Sequence, residues 1–340
     1  MPLKCRAFNC AKSNCRSAGD GSTDASRRWT SMMATVVLTL RVRAARTSRT
    51  EVRGALRVNR LSMKLYISAD MEGVAGITAS EQTDPNGQPE YPQSCKLMTG
   101  EVAAACQGAF AAGVSDIVVN DSHWNMRNII HEELPPQVRL IRGSLKPLSM
   151  NQGLDPSFQA AAFIGYHAPV GVADAILDHT YSGESVYDVR INGELCSEAR
   201  INAAMAGEFG VPVIFISGDQ NACADAKSFL PGIEAVEVKQ AMGRYSAASL
   251  SPQEARAAIK NGIERAVRGL QSEGARARPF SFKTPIRLEL TFSSTARADV
   301  ASLLPGSERP QARTISFAHE DYTTVFKAFR ALLVLGGSIS

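Results

Sequence analysis

From Lys64 to the C-terminus, short continuous apolar runs alternate with longer stretches of helical composition. Continuous apolar runs, rather than alternating ones, are typical of parallel strands that are buried on both faces. The Ala-rich stretch 94–112 lies between two such runs and ends at Gly113, which predicts a helix. The order of strand, helix and strand indicates an α/β fold, with a mostly parallel sheet and flanking helices. The predicted strands are residues 65–68, 116–120, 160–166 and 211–217.

The pattern changes twice after the third strand. Asn192-Gly193 stands between extended flanks, and this pair suits a type I′ turn, so we expect a β-hairpin over 186–195 and then a helix over 198–209. Further on, Ser251 and Glu254 form a capping box with Pro between them, which predicts a helix that ends near residue 269. The remaining predicted elements are a strand over 285–292, a helix over 294–304, a strand over 314–317 and a helix over 322–335. We therefore expect a larger α/β domain over 63–240 and a smaller α+β domain over 241–340.

The basic residues are concentrated in a leader, residues 1–62, which holds 13 of the 37 Lys and Arg residues and only three acidic ones. Without this leader the chain is mildly acidic, which argues against nucleic acid as a partner. We expect the leader to be disordered and favour a start codon assigned too far upstream, with Met63 as the true start. A transit peptide and a basic tail for an acidic partner are the alternatives.

Other partners are restricted by composition. The apolar stretch over 32–40 is too short to cross a membrane, and seven cysteines in 340 residues are too few for a disulfide scaffold. We therefore expect a globular protein of the reducing cytoplasm.

Polar side chains follow the predicted strands at the edge where parallel strands usually bind ligands. Asp70 and Glu72 follow the first strand, His123 the second and His167 the third. Two neighbouring carboxylates repel each other unless a cation lies between them or one of them is protonated. Carboxylates together with imidazoles suit zinc or another borderline divalent metal. Further candidate residues are Glu198 and His179. This set exceeds the ligands of one tetrahedral zinc, so we expect two metals bridged by Asp70, an arrangement suited to hydrolysis.

Several separated motifs occur in an order that resembles the zinc-dependent D-aminopeptidases of the dipeptide-transport operon type. The resemblance covers residues 63 to about 335 and leaves the leader outside. The motifs are KLYISADMEG at 64–73, VNDSH at 119–123, KP at 146–147, GYHA at 165–168 and LPG at 304–306.

The resemblance implies a binuclear zinc site with a defined role for each residue. Asp70 matches the bridging ligand, Glu72 a ligand of one ion, His123 a ligand of the second ion and His167 a ligand of the first. Glu198 matches the remaining glutamate ligand, although Ser197 replaces the glycine that precedes it in the family. His179 matches the catalytic histidine that is not a ligand.

The family further implies a homo-oligomeric ring, a decamer, that encloses its active sites. We expect a metallopeptidase that uses a zinc-activated water to remove the N-terminal residue of short D-amino-acid-containing peptides of the D-Ala-D-Ala type. Another binuclear-metal amidase or phosphoesterase is the alternative enzyme, and an α/β binding module without catalysis is the alternative outside enzymes.

Overall fold

The computed structural model describes residues 63–272 and 277–339, so the predictions made for the leader 1–62 lie outside the described residues. The described strands form two sheets. The strands are β1 (Met63–Ala69), β2 (Val114–Asp121), β3 (Arg139–Ile141), β4 (Ala160–Tyr166), β5 (Val186–Ile191), β6 (Glu194–Leu195), β7 (Val213–Asp219), β8 (Glu234–Gly243), β9 (Ser246–Ser249), β10 (Ile286–Phe292), β11 (Glu308–Gln311) and β12 (Thr314–His319). The helices are α1 (Ser80–Thr83), α2 (Tyr91–Ala111), α3 (Glu198–Glu208), α4 (Gln220–Phe229), α5 (Pro252–Leu270), α6 (Thr295–Ala301) and α7 (Tyr322–Gly337).

The larger sheet has the strand order β3-β2-β1-β4-β7-β8-β9 and is parallel except for the β8–β9 pair. The four strands predicted for it are present as β1, β2, β4 and β7. Helices α2 and α5 cover one face, where Val102, Ile259 and Ile263 pack in one core cluster with strand residues. Helix α3 covers the other face with its alanines. The predicted fold class, a mostly parallel α/β sheet with flanking helices, is confirmed.

The smaller sheet is antiparallel, with the order β11-β12-β10-β5-β6. Its β5–β6 hairpin turns at Asn192 and Gly193, whose φ angles of 53° and 83° fit the predicted turn. Helices α6 and α7 share a core cluster with this sheet, through Ala298, Phe326 and Phe329.

The sheets do not follow the expected boundary at residue 240. The antiparallel sheet takes β5 and β6 from before this point and β10 to β12 from after it. Helix α5, expected in the smaller domain, packs on the larger sheet instead. The division into domains 63–240 and 241–340 stays a prediction. Within the described residues, no helix combines the length and the apolar character that crossing a membrane requires.

Candidate metal centre

The carboxyl ends of three neighbouring strands bring the predicted ligands together. Ala69, the last residue of β1, pairs with Asp121 of β2 on one side and with Ile164 of β4 on the other. Asp70 and His123 therefore follow adjacent strand ends, and His167 follows the third. Residues that are distant in the sequence meet because parallel strands end at one edge of the sheet.

Two glycines allow the ends of β1 and β4 to approach closely. The Gly73 N–H donates a hydrogen bond of 2.8 Å to the carbonyl of Gly165, which has a φ of +70°. A Cβ atom at Gly73 would lie 1.9 Å from the carbonyl oxygen of Tyr166. Only glycine fits at position 73, and the resulting contact sets Asp70 beside the end of β4.

The candidate side chains form two clusters, and Asp70 faces both. In the first cluster, His123 Nδ1 lies 3.2 Å from Asp70 Oδ1 and 3.1 Å from Glu72 Oε2. In the second, His167 Nε2 lies 3.5 Å from both Asp70 Oδ2 and Glu198 Oε1. The potential ligand atoms of Asp70, Glu72 and His123 lie within 4.8 Å of one another, and so do those of His167, His179 and Glu198. Glu72 thus groups with His123, whereas the family resemblance placed these two residues on different ions.

Each histidine ring is oriented by one backbone carbonyl. His123 Nε2 donates to Thr83 at 2.8 Å, His167 Nδ1 to Ala168 at 2.9 Å and His179 Nδ1 to Leu177 at 2.9 Å. The opposite ring nitrogen of each histidine faces the carboxylates. Such hydrogen bonds fix the tautomer of a metal-binding histidine and leave the other nitrogen available as a ligand.

Glu198 lies in the first turn of α3, where the helix dipole favours a carboxylate. The preceding Ser197 caps this helix by accepting a hydrogen bond from the Arg200 N–H. Glu198 Oε1 accepts a 2.7 Å hydrogen bond from the N–H of Tyr181, which holds it beside His167. His179 stacks on the His167 ring at 4.3 Å between centroids, and its Nε2 lies 3.6 Å from Glu198 Oε1.

Burial and charge shift the ionisation of these groups in the metal-free protein. Burial, together with the neighbouring Glu72 carboxylate, raises the pKa of Asp70 to about 7. Burial would lower the pKa of His167, but the surrounding carboxylates, Glu198 first, raise it to about 10. The pKa of His123 is raised for the same reason, chiefly by Glu72. The cluster of carboxylates thus favours positive charge at its centre.

The unsatisfied atoms of the clusters fit a divalent metal. Within the described part of the chain, Asp70 Oδ2, Glu72 Oε2 and His167 Nε2 are buried and make no hydrogen bond. Buried polar atoms rarely remain unpaired, and these three face one another across the two clusters. Carboxylate oxygens and imidazole nitrogens are also the donors that zinc prefers. The residues therefore fit metal ions.

The clusters open into a cleft of about 810 Å³. Side chains that the sequence analysis did not consider also line this cleft, among them Glu81, Asp84, Tyr181, Arg244 and Arg330. Asp219, which ends β7, does not join the clusters, because its Oδ1 caps α4 by accepting from the Ala222 N–H and its Oδ2 accepts from the N–H of Ile176 in a separate loop. The two remaining histidines of the described chain, His131 and His319, do not line the cleft.

The loop after β1 is held in place by a buried lysine and a buried glutamate that the sequence analysis missed. Lys239 Nζ donates to three backbone carbonyls of this loop, at Glu72, Val74 and Ile77, over 2.5, 2.8 and 2.6 Å. Glu101 Oε1 accepts a 2.9 Å hydrogen bond from the Ala75 N–H. No local sequence signal exists for either residue, because both contacts join segments far apart in the chain.

A basic residue of the family motifs has a similar function at the end of β2. Lys146 Nζ donates to the Asn120 side chain at 2.6 Å and to the Asp121 carbonyl at 2.7 Å. The Asp121 carboxylate accepts hydrogen bonds from the N–H groups of Asn128 and Ile129. These contacts fix the loop that carries His123.

Comparisons with known proteins agree with this site. The D-aminopeptidase family model matches residues 63–331. A D-aminopeptidase of Bacillus subtilis (strain 168) is 33% identical over 277 residues, which is 80% of this chain and 96% of the relative. The solved structure of the Zn-dependent D-aminopeptidase DppA from Bacillus subtilis, a self-compartmentalizing protease, superimposes with a TM-score of 0.77. It is 31% identical, and the match covers 82% of this chain and 99% of that one.

These matches confirm the family resemblance found in the motifs, and they cover both sheets and every candidate ligand. The chain belongs to the D-aminopeptidase family and is a hydrolase of the metallopeptidase type.

Proposed function

We propose that the chain is a zinc-dependent aminopeptidase that binds two zinc ions and removes the N-terminal residue of short peptides containing D-amino acids, such as D-Ala-D-Ala. The observation that carries the proposal is Asp70, whose two oxygens face two clusters, 3.2 Å from His123 and 3.5 Å from His167. A carboxylate between two metal positions is typical of binuclear hydrolases. The descriptions of the two relatives support the choice of zinc and of D-peptides.

The proposed ligands divide between the two ions according to the distances above. Glu72 and His123 would hold one ion, His167 and Glu198 would hold the other, and Asp70 would be shared between them through its two oxygens. When bound, zinc supplies a Lewis acid for the scissile carbonyl and an activated water.

His179 is proposed to exchange a proton with the substrate. Because its Nδ1 donates to the Leu177 carbonyl, the lone pair of the neutral ring lies on Nε2, beside Glu198. The proximity of His179 to the second cluster is equally compatible with a ligand role, so its assignment as a catalytic residue stays a prediction.

The metal site alone would also suit another amidase or a phosphoesterase, since both reactions use binuclear centres. The family match favours the peptidase. The description of the structural relative as self-compartmentalizing supports a homo-oligomer, for which a ring of ten chains remains our prediction. The cytoplasmic location also stays a prediction.

The test is the hydrolysis of D-Ala-D-Ala and L-Ala-L-Ala by the full chain, with and without a zinc chelator. We expect alanine release from the D form alone and loss of this activity with chelator. Release that persists after complete zinc removal would refute the metal mechanism. Release from phosphoesters or other amides, with none from D-Ala-D-Ala, would refute the substrate assignment.

The number of metal ions is tested by elemental analysis of purified variants. His123→Ala and Glu198→Ala each remove a ligand of a different cluster, so each should lower the zinc content from two ions towards one and abolish hydrolysis. His131→Ala is the matched control, because His131 is an exposed histidine outside the cleft. Full zinc content in both ligand variants would refute the assignment.

A further inference from the structure

The C-terminal helix places one arginine in the cleft beside the metal ligands. Arg330 of α7 is partly buried, and its guanidinium carbon lies 5.5 Å from the centroid of the Tyr181 ring. Arg330 and Tyr181 line the same cleft as Asp70 and Glu198. Because the Tyr181 N–H donates to Glu198, Arg330 lies on the side of the cleft that holds the second cluster.

The guanidinium of Arg330 has no anionic partner in the described part of the chain. Among residues 63–272 and 277–339, no carboxylate lies within ion-pair distance of Arg330, and its guanidinium makes no hydrogen bond. The other charged side chains of this part of the cleft are paired: Arg244 with Asp178, and Glu184 with Arg297. A partly buried cation costs desolvation energy, and its packing on Tyr181 offsets this only in part. Arg330 is therefore poised for an anion that the described residues do not supply.

The opposite side of the cleft carries acidic side chains. Glu81 and Asp84 line it, next to Thr83, whose carbonyl oxygen accepts the hydrogen bond from His123. Negative charge thus lies beside the first cluster and positive charge beside the second, with the metal ligands between. This polarity matches a short zwitterionic peptide, which carries an ammonium at one end and a carboxylate at the other.

We propose that Arg330 binds the C-terminal carboxylate of the peptide substrate and so selects peptides that end within the cleft. The inference rests on the proposed function, since it names the substrate group that one residue of that cleft recognises. A guanidinium binds a carboxylate through two parallel hydrogen bonds, which a neutral amide cannot reproduce. Arg330 is thus a specificity-determining residue, whereas the hydrolysis itself is assigned to the metal centre and His179.

The proposal is tested with D-Ala-D-Ala and its C-terminal amide, using the zinc-loaded full chain. Arg330→Met keeps most of the side-chain length over Tyr181 but removes the charge. We expect the wild type to have a KM for the free acid roughly tenfold to a hundredfold below that for the amide, as for a lost charge-assisted hydrogen bond. Arg330→Met should remove this difference by raising the KM for the free acid towards that for the amide. Arg330→Lys should retain part of the difference in KM between the free acid and the amide.

Lys327→Met is the matched control, because Lys327 is an exposed cation of the same helix and does not line the cleft. It should retain the preference of the wild type for the free acid. An equal loss of activity on the acid and the amide in Arg330→Met would overturn the proposal, since it would indicate a structural role. Equal KM values for the acid and the amide in the wild type would also overturn it.

A binding measurement separates this proposal from the proposed function. The ketomethylene isostere of D-Ala-D-Ala, as free acid and as amide, is titrated calorimetrically into the wild type and Arg330→Met. Tighter binding of the acid to the wild type alone supports the subsite even if D-Ala-D-Ala is not hydrolysed, in which case only the proposed function fails. Hydrolysis without any acid preference in binding overturns the subsite and leaves the proposed function standing.

Discussion

Replacing Lys239 with Met should destabilise the protein, because the ammonium of Lys239 binds the loop that carries Glu72. The side chain is 3% exposed, and its three hydrogen bonds reach the carbonyls of Glu72, Val74 and Ile77. Met keeps the apolar stem but leaves these three buried acceptors without that donor. Hydrogen bonds to charged groups contribute about 1.5–3 kcal/mol each, so the gross loss is about 5–9 kcal/mol.

Part of that loss in stability is offset, because burial of the charged ammonium has an unfavourable free energy in the wild type. Burial lowers the pKa of Lys239 from 10.5 to about 8. This shift corresponds to roughly 3 kcal/mol of unfavourable free energy for the charged form, which Met does not carry. The expected net loss is therefore about 4 kcal/mol, similar to the cost of breaking other buried ionic contacts.

The assay is urea unfolding at pH 7, followed by circular dichroism at equal protein concentration, since assembly would make stability depend on concentration. A loss of about 4 kcal/mol would correspond to a fall in Tm of roughly 6–7 °C for a protein of this size. Lys227→Met is the control, because Lys227 lies 3.7 Å from Glu237 and its side chain is 53% exposed. It should change stability by less than about 1 kcal/mol. An equally small change in Lys239→Met would refute the reasoning.

Three further changes probe the site and its support. Burial raises the pKa of Glu101 from 4.5 to about 7. Between these pH values the folded protein holds a proton that the unfolded chain has released, so the free energy of unfolding falls as the pH rises through this window. The measurement is the free energy of unfolding in urea at pH 5 and at pH 7.5. Between these pH values, Glu101→Gln should gain up to about 3 kcal/mol of stability relative to the wild type, and an equal pH dependence of the two proteins would contradict this. Gly73→Ala should lower both Tm and zinc content, because its Cβ would lie 1.9 Å from the Tyr166 carbonyl oxygen; normal values for both would count against the packing argument. Zinc removal should lower Tm by several degrees in the wild type and by less in Glu198→Ala, as measured by thermal unfolding with and without chelator.

The sequence predicts the central strands and the positions of the candidate metal ligands for the same reason. Buried parallel strands are continuous apolar runs, and the polar residue after each run marks the carboxyl edge of the sheet, as for Asp70 and His167. The hairpin at Asn192 follows from the conformational preference of the Asn-Gly pair alone. In each of these cases the signal lies within a few neighbouring residues.

Features that depend on distant contacts were missed. The strand β8 carries Lys239, whose partners lie more than 160 positions earlier in the chain. Buried and exposed residues do not alternate regularly along β8, so its sequence has no hydrophobic period that would predict a strand. The antiparallel sheet joins β5 to β10 across the expected boundary at residue 240, and no local pattern in either strand indicates its partner. The sequence likewise gives no signal for Arg330 beyond its position in a helix, because its contact with Tyr181 depends on how α7 packs in the fold.

The dispersal of the site along the chain has a consequence for biosynthesis. The proposed ligands begin at Asp70 and end at Glu198, and α7 is the last described helix to be translated. A nascent chain on the ribosome cannot assemble either the full ligand set or the complete cleft until most of its length has emerged. A chain truncated before α7 therefore lacks Arg330 and part of the cleft wall, even when all the proposed ligands have been translated.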